Sequence, residues 1–203
     1  MKITKEQEMG QEMKRNHDTS YGLSNYHTGK KMEYINHIFN MDNVHRLNGM
    51  HLIQNYTITQ HCLRTAMLYA FIARKQGVEV RIEAMEFIMA HDLLETITGD
   101  LPYTVKNYNL FTKNAWKDIE TMLVNDFEEF NYMSKWTDDY AEKVMSYQEL
   151  HIFKACDMYE LYLFCKLEYE MGNTLIAPII KNCRIALRDC NIPYILEDVF
   201  GKK

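Results

Sequence analysis

Two histidines and two aspartates occupy positions from which a helical protein can bind a divalent metal ion. His91 and Asp92 are adjacent, His61 lies thirty residues before His91, and Asp157 lies sixty-five residues after Asp92. Each stands in an apolar pattern of helical spacing, where an unpartnered carboxylate costs several kcal/mol to bury. Nitrogen and oxygen ligands together suit Mn, Fe, Co, Ni or Zn. Such an ion activates water, so the pattern predicts a metal site with hydrolytic chemistry.

Each of these residues also has a simpler interpretation. A single histidine on the buried side of a helix, such as His91, is more often a hydrogen-bonded core residue than a ligand. Asp92 and Asp157 would be structural if they formed salt bridges, although few basic residues lie near them in the sequence. Glu95 follows His91 by four residues and shares a face with it on a continuing helix. There it either assists proton transfer beside the metal or is an exposed residue at the helix end.

The composition predicts one helical domain. The 203 residues are 47% hydrophobic, which is enough for a core, and their eight Gly and three Pro are few turn formers for a β fold.

The formal net charge of −5 argues against a nucleic-acid polymer as partner. Five cysteines without a CxxC pair suit a reducing compartment. The polar amino terminus resembles no signal peptide, and the longest apolar run, 66–73, is too short for a membrane span. We therefore expect a cytoplasmic protein without a membrane partner.

Hydrophobic periodicity places the candidate ligands on the helices of an all-α bundle. Thr57 and Gln60 have the spacing of a capping box at the start of a helix that ends near Gly77, with His61 on its first turn. Residues 1–30 are predicted to form a polar arm, and residues 31–203 a single domain. Further helices are predicted over 32–43, 81–94, 114–127, 139–171 and 174–190. The total is about six or seven helices.

The segments around these residues resemble those of a known family. They are His45-Arg46-Leu47, Gln60-His61-Cys62-Leu63, Met89-Ala90-His91-Asp92-Leu93-Leu94-Glu95, Thr98-Gly99-Asp100-Leu101-Pro102 with Val105-Lys106, and Lys154-Ala155-Cys156-Asp157. The Thr-Gly-Asp-Leu-Pro segment after His-Asp-x-x-Glu is the most specific of them. Over roughly residues 40–170 the chain resembles the bacterial 5'-deoxynucleotidases of the HD-domain phosphohydrolase superfamily.

The resemblance implies a single-domain HD-type helical bundle, a homodimer, and a role for each matched residue. His61, His91, Asp92 and Asp157 would be the ligands of a divalent ion, and Glu95 would be the catalytic carboxylate. The substrate-binding residues would be Arg46, Leu47, Asp92, Asp100, Leu101, Pro102, Tyr103 and Lys106. Among these, Arg46 would hold the phosphate in a bidentate fork. Asp100 would accept a hydrogen bond from the 3'-hydroxyl of deoxyribose, in a pocket too tight for a second hydroxyl.

The activity implied by the resemblance is metal-dependent hydrolysis of the 5'-phosphate of deoxynucleoside monophosphates. The chain departs from the family at three positions. Leu47 stands where Trp is usual, Gln60 where Glu is common, and Tyr103 where a smaller residue lines the sugar pocket. These departures leave open a second hypothesis, a deoxynucleoside triphosphate triphosphohydrolase (dNTPase) of the same superfamily. A third, from another class, is a nucleotide-sensing module without turnover. It is disfavoured because neither a ligand nor the catalytic carboxylate is missing.

Overall fold

The computed structural model describes residues 33–106, 108–126 and 138–201, and its architecture is helical. The α-helices are α1 (Glu33–Asn40), α2 (Ile58–Lys75), α3 (Ile82–Ala90), α4 (Glu95–Thr98), α5 (Tyr103–Lys106), α6 (Leu110–Asp126), α7 (Asp138–Val144), α8 (Tyr147–Glu170), α9 (Ala177–Leu187) and α10 (Pro193–Phe200). Short 3-10 helices lie at Met41–Asn43 and Thr174–Ile176. Seven of the α-helices have eight residues or more, and within the described ranges β-type pairing is limited to one bridge. The predicted all-α class is confirmed.

Contacts along the chain divide it into two units, residues 1–36 and residues 37–203. The core and the candidate site both belong to the second unit. The predicted amino-terminal arm, residues 1–30, lies outside the described residues. Within the described part of the chain, none of the helices is both long and apolar enough to cross a membrane.

Helix α2 begins at the predicted capping box. The Thr57 hydroxyl accepts a hydrogen bond from the Gln60 backbone N–H, and the Gln60 side chain accepts one from the Thr57 backbone N–H. The helix gives way to Gly77, whose φ of +71° favours glycine. Its buried residues are Ile58, His61, Cys62, Thr65, Ala66, Tyr69, Ile72 and Ala73, and they pack toward α3 and α8. This start therefore fixes where His61 enters the core.

Helix α3 is shorter than the sequence indicates. The predicted helix over 81–94 ends at Ala90, and α4 begins at Glu95 after an intervening turn. In this turn the Leu93 N–H donates to the Ala90 carbonyl and the Glu95 N–H to the Asp92 carbonyl, both at 2.9 Å. These bonds span three residues instead of four and tighten the backbone. The helix therefore does not continue from His91 to Glu95, which was the condition for a shared helix face.

The predicted single helix over 139–171 is also wrong, because the chain forms α7 and α8 there. Ser146 has an extended backbone, with ψ of 161°, and starts α8 through a second capping box with Glu149. Arg81 secures the junction by donating to the Glu149 carboxylate and to the Val144 carbonyl. Helix α8 packs against α2, with Asp157 Oδ1 2.9 Å from His61 Nε2.

The carboxyl-terminal helices complete the core. The predicted helix over 174–190 is a 3-10 helix followed by α9, and a further helix that was not predicted, α10, begins at Pro193. The largest fully buried side chains of the described residues are Tyr56, Tyr69, Phe87, Ile58, Ile72, Ile88, Leu93, Ile152, Ile176, Leu187 and Ile195. All five cysteines are free and buried, as expected of small core residues.

Glu168 provides a test of how the segment before α2 is held. Its buried carboxylate accepts hydrogen bonds from the N–H groups of Ile53 and Gln54 and from the Asn173 side chain, each at 2.8 Å. Burial acts to raise the pKa of Glu168, but these hydrogen bonds outweigh it and keep the pKa below its usual value. We expect Glu168→Gln to lower the free energy of unfolding by about 2 kcal/mol, because the amide cannot accept all of these bonds.

Urea denaturation at pH 7 measures this effect, with the exposed Glu170→Gln as matched control. Because the folded-state pKa is depressed, the contribution of Glu168 is present above the unfolded-state pKa and is lost as the pH falls through the folded value. The difference between wild type and Glu168→Gln should therefore shrink in acid. Equal stabilities for the two variants at pH 7 would contradict this account of the segment.

Candidate active site

The structure brings the four predicted metal ligands together. One donor atom from each of His61, His91 and Asp92 lies within 4.8 Å of the others. The Nε2 atoms of the two histidines are 3.3 Å apart, and Asp92 Oδ2 is 3.7 Å from His61 Nε2. Asp157 approaches from α8, with Oδ1 2.9 Å from His61 Nε2 and 3.9 Å from His91 Nε2. Three separate segments thus converge on one point.

Hydrogen bonds at the Nδ1 atoms orient the imidazole rings of His61 and His91. His91 Nδ1 lies 2.7 Å from the Ile88 carbonyl oxygen, and His61 Nδ1 lies 2.6 Å from Glu160 Oε2. A carbonyl and a carboxylate only accept hydrogen bonds, so both Nδ1 atoms carry a proton and both Nε2 atoms face the aspartates. Metal-binding histidines are commonly held in this way. The donor set and its orientation therefore fit a divalent metal ion.

The electrostatics of the four groups also favour positive charge between them. Burial acts to lower the pKa of His61, but Asp157 and Glu160 outweigh it and raise the pKa to about 9. Burial opposes the charged form of His91 as well, and Asp92 raises its pKa to about 10. In return, and again against burial, His91 holds the pKa of Asp92 well below its usual value, as His61 does for Asp157. A divalent cation would replace the two imidazolium protons.

Metal-free protein should therefore lose stability as the pH rises. The folded pKa values of His61 and His91 lie above the ordinary value of 6.5, so the stability from their charged forms is fully present below that pH. This stability is lost as the pH rises through the folded values. We expect the Tm of chelator-treated protein to fall by about 5 °C or more between pH 6.5 and 9. Calorimetry of zinc-loaded protein over the same pH range is the control. If Tm depended on pH in the same way with and without zinc, the assignment of His61 and His91 as metal ligands would be contradicted.

Arg46 lies beside Asp92 in the segment that precedes α2. Its backbone N–H donates to the Tyr56 carbonyl at 2.8 Å, and an adjacent bridge pairs His45 with Thr57. Its guanidinium Nη1 donates to the Asp92 carboxylate, while its Nε is buried with no hydrogen-bond partner among the described residues. Arg46 therefore keeps a donor uncommitted next to the ligand cluster, as a phosphate-binding residue requires.

Glu95 is buried at the start of α4 and uses only one of its oxygens. Lys106 Nζ donates to Oε1 at 2.7 Å, and the Lys106 ammonium also lies over the Trp116 ring, 5.1 Å from its centroid. The second oxygen, Oε2, is buried and has no hydrogen-bond partner in the described part of the chain. Burial and Asp92 raise the pKa of Glu95 to about 7, against the opposing charge of Lys106. A carboxyl group with this pKa can accept or donate a proton near neutral pH.

Asp100 and Leu47 are joined by a hydrogen bond at 2.8 Å between Asp100 Oδ2 and the Leu47 backbone N–H. Leu47 has a φ of 57°, a left-handed backbone that is uncommon for a residue with a Cβ. Its side chain packs against the hydrophobic cluster of Tyr56, Phe164, Cys165 and Ile176. The structure thus ties the segment of Arg46 to the loop after α4. A contact between the Leu47 side chain and substrate stays a prediction.

The remaining predicted substrate residues follow Asp100 along the chain. Leu101 is half-buried and Pro102 is exposed, and the Pro102 carbonyl accepts the first hydrogen bonds of α5. The backbone of Tyr103 begins that helix, but its side chain lies outside the described residues. Their places in a sugar pocket stay predictions.

Sequence reasoning missed two residues that contact the cluster, Glu160 and Tyr56. The Tyr56 hydroxyl lies 2.5 Å from Glu160 Oε2 and 3.3 Å from His61 Nδ1. A signal for Glu160 was present in the sequence, because it follows Asp157 by three residues and shares a helix face with it. Tyr56 had no such signal, since it comes just before a helix and its contacts depend on tertiary packing.

Comparison with known proteins identifies the family of this chain. The family model described as 5'-deoxynucleotidase YfbR-like matches residues 33–200. The chain belongs to this family. A 5'-deoxynucleotidase of Vibrio vulnificus is 28% identical to it over 181 residues, which are 81% of this chain and 89% of that protein. One of Shewanella oneidensis is 30% identical over 151 residues, 68% of this chain and 75% of that protein.

Solved structures share the fold of this YfbR-like chain. An HD-domain phosphohydrolase of Listeria innocua superposes with a TM-score of 0.67 at 17% identity, covering 84% of this chain and 90% of that one. The cyanophage S-2L HD phosphohydrolase DatZ, bound to dA and one catalytic Zn²⁺ ion, gives 0.57 at 20% identity, covering 81% and 90%. The predicted HD-type bundle and the predicted family are both confirmed.

Proposed function

We propose that this YfbR-like protein hydrolyses the 5'-phosphate of deoxynucleoside monophosphates to a deoxynucleoside and inorganic phosphate. The observation that carries the proposal is the convergence of His61, His91 and Asp92 within 4.8 Å, with the Arg46 guanidinium at Asp92. Glu95, buried with an uncommitted oxygen, supplies the proton-transfer group. The family model and the relatives named 5'-deoxynucleotidases support this substrate class.

The proposed cofactor is a divalent metal ion held by His61, His91, Asp92 and Asp157. When bound, the ion would acidify a water molecule and neutralise phosphate charge. The mixed nitrogen and oxygen donors suit Co, Mn, Fe, Ni or Zn, and the related phage enzyme is described with a catalytic Zn²⁺. Elemental analysis of the purified protein identifies the ion.

The chain's own residues would then position the phosphate and move protons. Arg46 Nε and its second Nη would donate to the non-bridging phosphate oxygens. As the water oxygen bonds to phosphorus and the P–O5' bond breaks, Glu95 would accept a proton from the water through Oε2 and return one to the departing 5'-oxygen. Lys106 would hold Glu95 through Oε1, 2.7 Å away, and present its remaining hydrogens to the phosphate.

Selection of deoxyribose is proposed for Asp100 and the residues after it. The Leu47 N–H occupies Asp100 Oδ2, which leaves Oδ1 to accept a hydrogen bond from the 3'-hydroxyl. Leu101, Pro102 and Tyr103 would line the sugar pocket and exclude a 2'-hydroxyl. A ribonucleotide would then bind poorly because its extra hydroxyl has no space.

A substrate panel tests the proposal. Metal-loaded protein is incubated with the four deoxynucleoside monophosphates, their ribose counterparts and the deoxynucleoside triphosphates, and products are separated by anion exchange. We expect inorganic phosphate from the deoxynucleoside monophosphates. Tripolyphosphate from the triphosphates would instead establish the dNTPase activity. Tight nucleotide binding without any product would indicate a sensing module.

We also propose that the protein is a cytoplasmic homodimer. The exposed face of α2 carries Leu63, Met67 and Phe71 at helical spacing, with 53%, 65% and 40% of their surfaces accessible. Five free thiols suit the reducing cytoplasm. Multi-angle light scattering distinguishes a dimer from the 24.2 kDa monomer.

A further inference from the structure

Glu160 lies behind the ligand cluster, and its carboxylate is almost completely buried, with 2% of its surface accessible. Oε2 is 2.6 Å from His61 Nδ1 and 2.5 Å from the Tyr56 hydroxyl. The Arg64 guanidinium is 3.6 Å from Oε1, but that side chain is 45% exposed and its charge is screened by solvent. The close contacts of this carboxylate are therefore the proposed metal ligand His61 and the Tyr56 hydroxyl.

We propose that Glu160 is a positioning residue of the metal centre, which acts on the metal through His61. By accepting the Nδ1 proton, Glu160 fixes the tautomer in which His61 Nε2 faces His91 and Asp157. Its negative charge also enriches the imidazole in electrons and makes Nε2 a stronger ligand. The inference rests on the metal site of the proposed function, but not on the identity of the substrate.

Tyr56 contacts the same carboxylate oxygen as His61, Glu160 Oε2. Its ring stacks on Phe164 with centroids 3.8 Å apart and planes 9° from parallel, which fixes the hydroxyl in place. Burial raises the pKa of the Tyr56 phenol, so the hydroxyl stays protonated and donates to Glu160. The Arg46 guanidinium lies 5.7 Å from the centroid of the same ring. Tyr56 thus contacts Glu160, which holds the proposed metal ligand His61, and also lies beside Arg46, the proposed phosphate-binding residue.

If Glu160 served only to stabilise the fold, a carboxylate would be an unfavourable side chain at this position. Burying a carboxylate beside a phenol and an imidazole costs free energy that well-packed apolar side chains would not cost. That cost is offset when the charge strengthens a metal ligand. The two roles therefore differ in metal affinity and not in fold stability alone.

The decisive variant is Glu160→Gln, which keeps the size and one acceptor oxygen but removes the charge. We expect the dissociation constant for Zn²⁺, measured by competition with a chromophoric chelator, to rise about tenfold or more. The visible absorption bands of the Co²⁺-loaded protein should shift, because the ligand field that His61 exerts on the ion changes. Tyr56→Phe, which removes the hydroxyl donor and keeps the stacking, should cause a smaller rise.

Glu168→Gln is the matched control, because Glu168 is a buried carboxylate on the same helix whose partners are Ile53, Gln54 and Asn173. It should lower the Tm and leave the Zn²⁺ dissociation constant unchanged. If Glu160→Gln lowers the Tm in the same way without weakening Zn²⁺ binding, the positioning role is overturned.

A measurement on the wild-type protein keeps the proposal testable if the Glu160 variant does not fold. Nitrogen-15 NMR of the zinc-loaded protein should show His61 protonated at Nδ1 and metal-bound at Nε2. Zinc bound at Nδ1 would overturn the proposal. Both experiments measure metal binding in the absence of nucleotide. Their outcome therefore does not depend on whether the substrate panel supports the proposed function.

Discussion

Asp92→Asn should reduce kcat/KM for phosphate release from a deoxynucleoside monophosphate by about a thousandfold or more. Asp92 Oδ1 lies 3.5 Å from His91 Nε2, and its other oxygen accepts from Arg46, so this carboxylate joins the proposed metal centre to the proposed phosphate-binding group. Asparagine keeps the shape but removes the negative charge that a divalent cation requires. Steady-state phosphate release with metal analysis of the same sample measures both losses.

Asp189→Asn is the control, because Asp189 is exposed near the end of α9 and lies outside the ligand cluster. It should retain the wild-type rate and metal content. Asp92→Asn protein that keeps the full metal content and the full rate would remove Asp92 from the metal centre. Asp92→Asn protein with full metal content but a lost rate would show that Asp92 acts on the substrate and is not needed to bind the metal.

Local signals explain why helix α2 was predictable from the sequence. The hydroxyl of Thr57 and the amide of Gln60 satisfy backbone groups within one turn, so the capping box acts without help from the rest of the fold. Gly77 ends the pattern for an equally local reason, its positive φ. The position of His61 on the first turn of α2 is therefore predictable without any tertiary contact.

Convergence of the ligands is different, because residues sixty-five positions apart meet only through packing. Spacing left His91, Asp92 and Asp157 open to structural interpretations, and the resemblance to a family gave them a common role. The structure supplies the distances that spacing cannot, such as 2.9 Å from Asp157 Oδ1 to His61 Nε2.

Where the sequence analysis was wrong, tertiary structure overrides a continuous apolar pattern. No Gly or Pro stands between Arg81 and Leu94, so the pattern predicts an unbroken helix, yet the backbone tightens after Ala90 at the proposed ligands. Likewise, α7 ends at Val144 and Ser146 starts α8 inside a continuous helical pattern. A tightened turn such as the one after Ala90 often marks a functional site.

Glu95→Gln should lower kcat by about 10²–10⁴-fold while metal content and KM change little. The glutamine can still accept the Lys106 hydrogen bond now made to Oε1, at 2.7 Å, so the side chain stays in place. It cannot accept or return a proton at the position of Oε2, which is the buried oxygen without a partner among the described residues. Stopped assays of phosphate release, with metal analysis of each preparation, measure the three quantities.

Glu86→Gln on the exposed face of α3 is the matched control and should behave as wild type. Because burial and Asp92 raise the pKa of Glu95 to about 7, the wild-type rate should change with pH in this region, and the residual rate of Glu95→Gln should not. A wild-type kcat in Glu95→Gln would exclude Glu95 from proton transfer. Loss of the metal together with the rate would make Glu95 part of the ligand support instead, because a positioned proton carrier leaves metal affinity intact.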